Sequence, residues 1–169
     1  MENKKELDLD INKAGEDLFQ FAVDREDLKL LMSHLNEEAD IKRETVEYEL
    51  QILKIIATGW SIAYFLENFP YKDQLAEIYW KTVFQYSLSI SETASLMIGK
   101  EINYFQILQK RLEMYVNAMK QKPDALEPAA IVGPEFARTC GNVDDIFTIM
   151  VGSRMFKETV ASVKEYLGQ

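Results

Sequence analysis

Apolar residues recur along most of this chain at intervals of three and four, which is the spacing of one face of an α-helix. The strongest pattern runs from Val46 to Phe69. Between Leu50 and Leu66 the main polar positions fall on one narrow strip: Gln51, Lys54, Thr58 and Ser61. A helix that is apolar on nearly all other sides is buried among neighbouring helices. We therefore predict a buried central helix from Val46 to Phe69, ended by Pro70.

The same spacing predicts further helices around the central one. Their expected ranges are 24–36, 73–90, 89–120, 128–141 and 142–167. The boundary between the second and third of these depends on Ser89 and Glu92, which have the spacing of a capping box. The chain has few glycines and prolines and no alternating runs of β-branched residues, which favours helices over strands. The predicted fold class is an all-α helical bundle of five to six helices.

The length of 169 residues predicts a single all-α domain over residues 1–169. Residues 1–15 are polar and end in Lys13-Ala14-Gly15, so we expect a flexible tail there. Residues 122–128, which begin with Lys122 and Pro123, are expected to form an internal linker. The 47% hydrophobic and 28% charged content is that of an ordinary globular protein.

The charge of the chain is uneven. The formal net charge is −9, and residues 1–49 hold seven Lys and Arg against fifteen Asp and Glu. A negative surface repels phosphate backbones and anionic lipids, so we expect neither nucleic acid nor membrane as a partner. The acidic N-terminal third is either a solvated surface or a docking surface for a basic protein partner.

Several features favour a cytoplasmic location. The single cysteine, Cys140, excludes an internal disulfide. The first residues lack the apolar stretch of a signal peptide. The apolar stretch from Ile52 to Leu66 is shorter than the ~20 residues that a membrane span needs.

No motif assigns chemistry to the chain. A di-iron site needs two Glu-x-x-His motifs and a zinc cluster needs several Cys and His, but His34 is the only histidine. Asp8-Leu9-Asp10 resembles the start of a calcium loop, but Lys13 stands where that loop requires glycine. We therefore assign no catalytic residue, no metal and no cofactor, and the roles of His34 and Cys140 stay open.

The aromatic residues are the most informative class. Twelve of them fall between Trp60 and Tyr115, and Trp60 and Tyr64 are one helical turn apart. They either fill the core or a subunit interface, or line a pocket between helices for an apolar or aromatic ligand. The candidate ligand-binding residues are Trp60, Tyr64, Trp80 and Tyr86.

The helix predicted over 73–90 has more apolar surface than one neighbour covers. One face carries Leu75, Tyr79, Val83 and Tyr86, and a second side carries Trp80, Phe84 and Leu88. A symmetric homodimer is the simplest cover for the second side. Three functions therefore compete: a non-enzymatic protein-protein interaction protein acting as a homo-oligomer, a binder or sensor of a small apolar ligand, and a cofactor-independent enzyme.

Overall fold

The computed structural model describes residues 10–35, 37 and 42–169, which form seven α-helices and no β-strand. The helices are α1 (Ile11–Val23), α2 (Glu26–Met32), α3 (Arg43–Phe65), α4 (Lys72–Ile98), α5 (Tyr104–Gln121), α6 (Ala129–Thr139) and α7 (Ile146–Tyr166). One buried apolar cluster has members from all seven helices. The predicted all-α bundle is confirmed. None of the described helices is both long enough and apolar enough to cross a bilayer.

Helix α3 is the centre of the bundle. It packs against α1, α2, α4, α5 and α7, and every residue from 49 to 59 is buried. The predicted central helix is therefore confirmed, although it ends at Phe65 rather than Phe69. Residues 66–69 form a turn instead, in which the Phe69 N–H donates to the Leu66 carbonyl at 2.9 Å. This turn keeps the residue before Pro70 out of the helical conformation that a following proline disfavours.

The polar strip of α3 binds the carboxyl end of α1. The Gln51 side-chain amide donates to the Ala22 carbonyl at 2.7 Å, and the Lys54 ammonium donates to the Asp24 carbonyl at 2.9 Å. Lys54 is only 1% exposed, and it also lies 3.3 Å from the Asp27 carboxylate. The last carbonyls of a helix have no partner within it. Two polar groups of the central helix therefore satisfy the end of its neighbour.

The prediction of a flexible tail over residues 1–15 is wrong for residues 11–15, which are the first residues of α1. The Asp10 side chain accepts a hydrogen bond from the Lys13 N–H at 3.2 Å and caps the helix. Ala14 and Gly15 are buried, and a Cβ atom on Gly15 would lie 2.4 Å from the side chain of Ile78 in α4. Ala14 and Gly15 permit this close approach because they are small. For the same reason they add no large apolar side chain to the segment, so its sequence pattern resembles that of a polar tail. Residues 1–9 of the predicted tail lie outside the described residues.

The predicted helix boundary at Ser89 is also wrong, because α4 continues to Ile98. Serine is compatible with this helix interior, since the Ser91 hydroxyl donates to the carbonyl four residues earlier at 2.8 Å. The true boundary is Gly99, whose φ of 69° is the left-handed conformation that ends many helices. Asn103 then caps α5 by accepting a backbone N–H bond at 3.0 Å.

Helices α6 and α7 form a closely packed antiparallel pair after the exposed segment 122–128. Gly152 of α7 faces the buried ring of Phe136 in α6, and an added Cβ atom would lie 2.5 Å from the ring carbon Cδ1. The absence of a side chain at Gly152 therefore sets the distance between these two helices.

Replacing Gly152 by alanine is expected to destabilise the fold by about 1–3 kcal/mol, because the methyl group overlaps the Phe136 ring. Urea unfolding followed by circular dichroism measures the change. The sign of the change in the free energy of unfolding is diagnostic, because replacing glycine by alanine at an uncrowded helix position stabilises by up to about 1 kcal/mol. Ser162→Ala on the exposed side of α7 is the control, and it is expected to leave stability unchanged or slightly higher. A Gly152→Ala variant as stable as the native chain would contradict this packing.

Candidate functional site

Three of the four aromatic residues predicted to bind a ligand lie together at the surface. The Trp60 and Tyr64 rings are stacked, with centroids 4.8 Å apart and planes 14° apart. Phe156 of α7 also contacts Trp60, with ring centroids 5.3 Å apart. Trp60 is half-buried, whereas Tyr64 is 60% exposed. The cluster is therefore a partly solvent-facing patch outside the buried core.

Trp80 joins this patch from α4. A Cβ atom on Gly59 would lie 2.2 Å from the Trp80 indole, so the ring lies directly against the α3 backbone. Gly59 precedes Trp60, and this contact brings the two indoles to the same surface. A larger residue at position 59 would exclude Trp80 from it.

Tyr86 is not part of this patch. Its ring lies 5.6 Å from Phe19 of α1 and 6.4 Å from Tyr104 of α5. Six positions along a helix rotate a side chain by about 240°, so Tyr86 faces away from Trp80 on the same helix. The predicted ligand site grouped the two residues although their helical spacing already places them on different sides of α4.

Two open grooves flank Trp60. The first, which we call the Trp80 groove, has a volume of about 400 Å³. Its lining includes Gly59, Trp60, Trp80, Leu112, Glu113 and Val116. The second, which we call the Phe156 groove, has a volume of about 240 Å³. Its lining includes Trp60, Tyr64, Glu127, Pro128, Phe156 and Lys157. Trp60 belongs to both linings and therefore forms the ridge that separates them.

A second apolar surface runs along α4 from one helical turn beyond Trp80 to the end of the helix. We call it the α4–α5 end and define it by its exposed apolar residues Phe84, Leu88, Leu96, Met97 and Ile98. Leu96 is 88% exposed and Met97 81%. An adjacent groove of about 700 Å³ runs between α4 and the start of α5, with Ile102 and Phe105 on its α5 side.

The predicted apolar excess of α4 thus has two outcomes. Leu75, Tyr79 and Val83 are buried in the core, whereas Phe84 and Leu88 stay exposed on the second side. The homodimer predicted from the sequence requires a partner subunit that packs on this second side of α4.

An ion pair between a buried glutamate and a partly buried arginine connects α3 to α5. The Arg111 guanidinium donates to both carboxylate oxygens of Glu49, at 2.9 and 3.0 Å. Glu49 is 4% exposed, and its hydrogen bonds raise the pKa of the Arg111 guanidinium. These residues are 62 positions apart, and nothing in the sequence identified them as partners.

Cys140 and Tyr115 lie beside this ion pair. Burial, and secondarily the negative charge of Glu49, raise the pKa of the Cys140 thiol to about 12. Burial likewise raises the pKa of Tyr115, whose hydroxyl has no hydrogen-bond partner among the described residues. Cys140 is therefore a protonated, buried thiol at neutral pH, which is a poor nucleophile.

The remaining polar candidates show no assembled site in the part of the chain that the structure describes. His34 is exposed, and the described residues contain no group of three or more His, Cys, Asp or Glu side chains able to hold a metal ion. Several acids of the N-terminal third pair with bases of the chain itself. These pairs are Asp17 with Lys13, Asp27 with Lys54, Glu47 with Arg25, and Glu49 with Arg111.

No protein-family model matches this chain, and no curated protein or solved structure is significantly similar to it. Its function must therefore be inferred from the residues and surfaces described above.

Replacing Arg111 by alanine is expected to destabilise the fold by about 3 kcal/mol, because it leaves the Glu49 carboxylate buried without a partner. Urea unfolding measures the loss. Arg154→Ala, which removes an exposed pair with Glu158, is the matched control and should cost less than about 1 kcal/mol. The double variant Glu49→Leu with Arg111→Leu should regain much of the stability. Equal effects of the two arginine variants would contradict the pairing of Arg111 with a buried carboxylate.

Cys140 is expected to react slowly with a thiol reagent in the folded protein at neutral pH, and rapidly once the chain is unfolded in urea. Its raised pKa also predicts a loss of stability in alkali. The unfolded chain releases the thiol proton near pH 9, whereas the folded chain retains it up to about pH 12, so the free energy of unfolding falls as pH rises between these values. Cys140→Ala should move the onset of this fall towards the usual tyrosine pKa of about 10. Rapid labelling of the folded protein would contradict this environment.

Proposed function

We propose that this chain is a non-enzymatic protein-protein interaction protein that acts as a homodimer through its α4–α5 end. The observation that carries the proposal is the exposure of five large apolar side chains at this end. Phe84 and Leu88 lie one helical turn apart, and the consecutive residues Leu96, Met97 and Ile98 surround the last turn of α4. Exposed apolar side chains that are grouped in this way, rather than scattered singly, mark interaction sites.

The shape of the α4–α5 end supports a second copy as its cover. A dimer with two-fold symmetry uses the same patch on both subunits, so the patch must complement itself. This end combines a groove between α4 and α5 with the protruding side chains of Leu96 and Met97. Each copy therefore offers a groove and the apolar residues to fill the partner's groove.

The charge of this end favours the same partner. Two copies of a chain with net charge −9 repel each other over most of their surface. Residues 82–98 contain one charged residue, Glu92, so this segment can meet its own copy with little repulsion. Lys100 and Glu101 are exposed next to it and make no ion pair among the described residues. In a two-fold dimer, Lys100 of one copy can face Glu92 or Glu101 of the other.

We propose a non-enzymatic role because Cys140, the one thiol of the chain, is buried with a pKa of about 12. We also propose that the protein is located in the cytoplasm. A free thiol without a disulfide is typical of proteins in reducing compartments.

The dimer predicts that light scattering coupled to size-exclusion chromatography gives twice the chain mass of 19.6 kDa at about 50 μM. Leu96→Glu and Leu88→Glu should halve this mass, because a buried unpaired carboxylate is costly. Both residues are at least half exposed, so the fold should be retained by circular dichroism.

Leu126→Glu is the matched control, since Leu126 is fully exposed in the segment before α6 and outside the α4–α5 end. It should leave the mass unchanged. A native chain that is monomeric at this concentration would overturn the proposal, as would dimers unaffected by both α4 variants.

A further inference from the structure

The Trp60 ridge packs against two neighbouring aromatic rings. Its indole is stacked on Tyr64 and supported by Phe156, with ring centroids 4.8 and 5.3 Å away. Trp80 is fixed beside it by its contact with the Gly59 backbone. Because these rings are already ordered in the free protein, a ligand that packs on them loses little side-chain entropy of the protein.

The surface around this ridge is apolar and divided. The Trp80 groove lies on one side of Trp60 and the Phe156 groove on the other. The ridge interrupts the continuous trough that an amphipathic helix needs for its apolar face. Both grooves are open to solvent, whereas a small apolar ligand binds best when most of its surface is enclosed.

An extended proline-rich segment fits a divided aromatic surface. A polyproline II helix has three residues per turn and rises about 3.1 Å per residue, so prolines three positions apart project in the same direction about 9 Å apart. Such segments bind aromatic-lined grooves in several unrelated domains, and they lose little conformational entropy because they are already extended. One such proline can occupy each of the two aromatic-lined grooves that share Trp60.

The charges of the two grooves select a basic segment. Glu113 is the ionisable side chain in the lining of the Trp80 groove, and it makes no ion pair among the described residues. In the Phe156 groove, Glu127 lies 3.6 Å from Lys157 and is partly neutralised. A positive charge on the ligand is therefore best placed at the Trp80 groove, next to Glu113.

The geometry points to the two grooves around Trp60 as the binding site for a proline-rich peptide that carries an arginine or lysine beside its proline turn. This inference does not rest on dimer formation, since the lining residues of these grooves do not include the exposed residues of the α4–α5 end.

Intrinsic fluorescence gives a direct test, because the two tryptophans of the chain, Trp60 and Trp80, both line the Trp80 groove. The probe is the acetylated peptide APPLPPRA, which has two proline pairs one turn apart followed by arginine. Titration of the peptide into the full chain should shift the tryptophan emission to shorter wavelength in a saturable manner. The same peptide with glutamate in place of arginine should bind more weakly.

Two variants that leave the core intact locate the site. Tyr64→Ser removes an exposed ring of the Phe156 groove and should weaken binding about tenfold. Glu113→Gln should weaken it about threefold, since exposed ion pairs contribute modestly. Tyr71→Ser and Glu165→Gln are the matched controls, as both residues are exposed and line neither groove. Leu96→Glu should bind the peptide as the native chain does, which separates this site from the dimer surface.

A saturable shift that both groove variants weaken and both controls preserve supports the inference. The absence of a fluorescence shift up to about 1 mM peptide would overturn the inference, because a Kd above this concentration is too weak for specific recognition. Equal affinity for an amphipathic helical peptide of the same charge would also overturn it, as would a shift produced by a free aromatic compound but not by the peptide.

Discussion

Lys54 is the residue on which the arrangement of the bundle depends. It places a positive charge in the middle of a helix that is otherwise buried, which is costly unless the charge finds close partners. The Asp24 carbonyl and the Asp27 carboxylate supply them, with the Phe21 ring 4.5 Å from the ammonium. This requirement fixes where α1 ends and α2 begins relative to α3. Since α1 also packs closely along α4, the same contact orients the next layer of the bundle.

The distances between helices are set by glycines that face large side chains. Gly59 lies against Trp80 and Gly152 against Phe136, and neither contact leaves room for a methyl group. Such contacts close the core tightly while leaving part of the tryptophan surface at its edge. The Trp60 ridge is therefore a consequence of how α3 and α4 pack, with one groove towards α4 and α5 and the other towards α6 and α7.

One ion pair and the single thiol lie within the bundle, whereas two apolar surfaces lie outside it. Glu49 and the Cys140 thiol are buried and Arg111 is partly buried, where α3, α5 and the end of α6 meet. The α4–α5 end and the Trp60 grooves expose apolar side chains to solvent. A protein of this design has the means to hold its own fold rigidly and to bind other chains, which is why we favour recognition over catalysis.

The sequence by itself determined the fold class and the central helix. A helix that is buried on nearly all sides is apolar on nearly all sides, and this pattern is visible within one continuous segment of the sequence. The sequence also grouped Trp60, Tyr64, Trp80 and Tyr86 as one candidate ligand site, of which the first three lie together in the structure. Only the tertiary structure decided the start of α1 and the continuation of α4 past Ser89. Each of these depends on which side of a helix meets another helix. The pairing of Glu49 with Arg111 belongs to the same group, since contacts between distant residues leave no periodic signal in a single sequence.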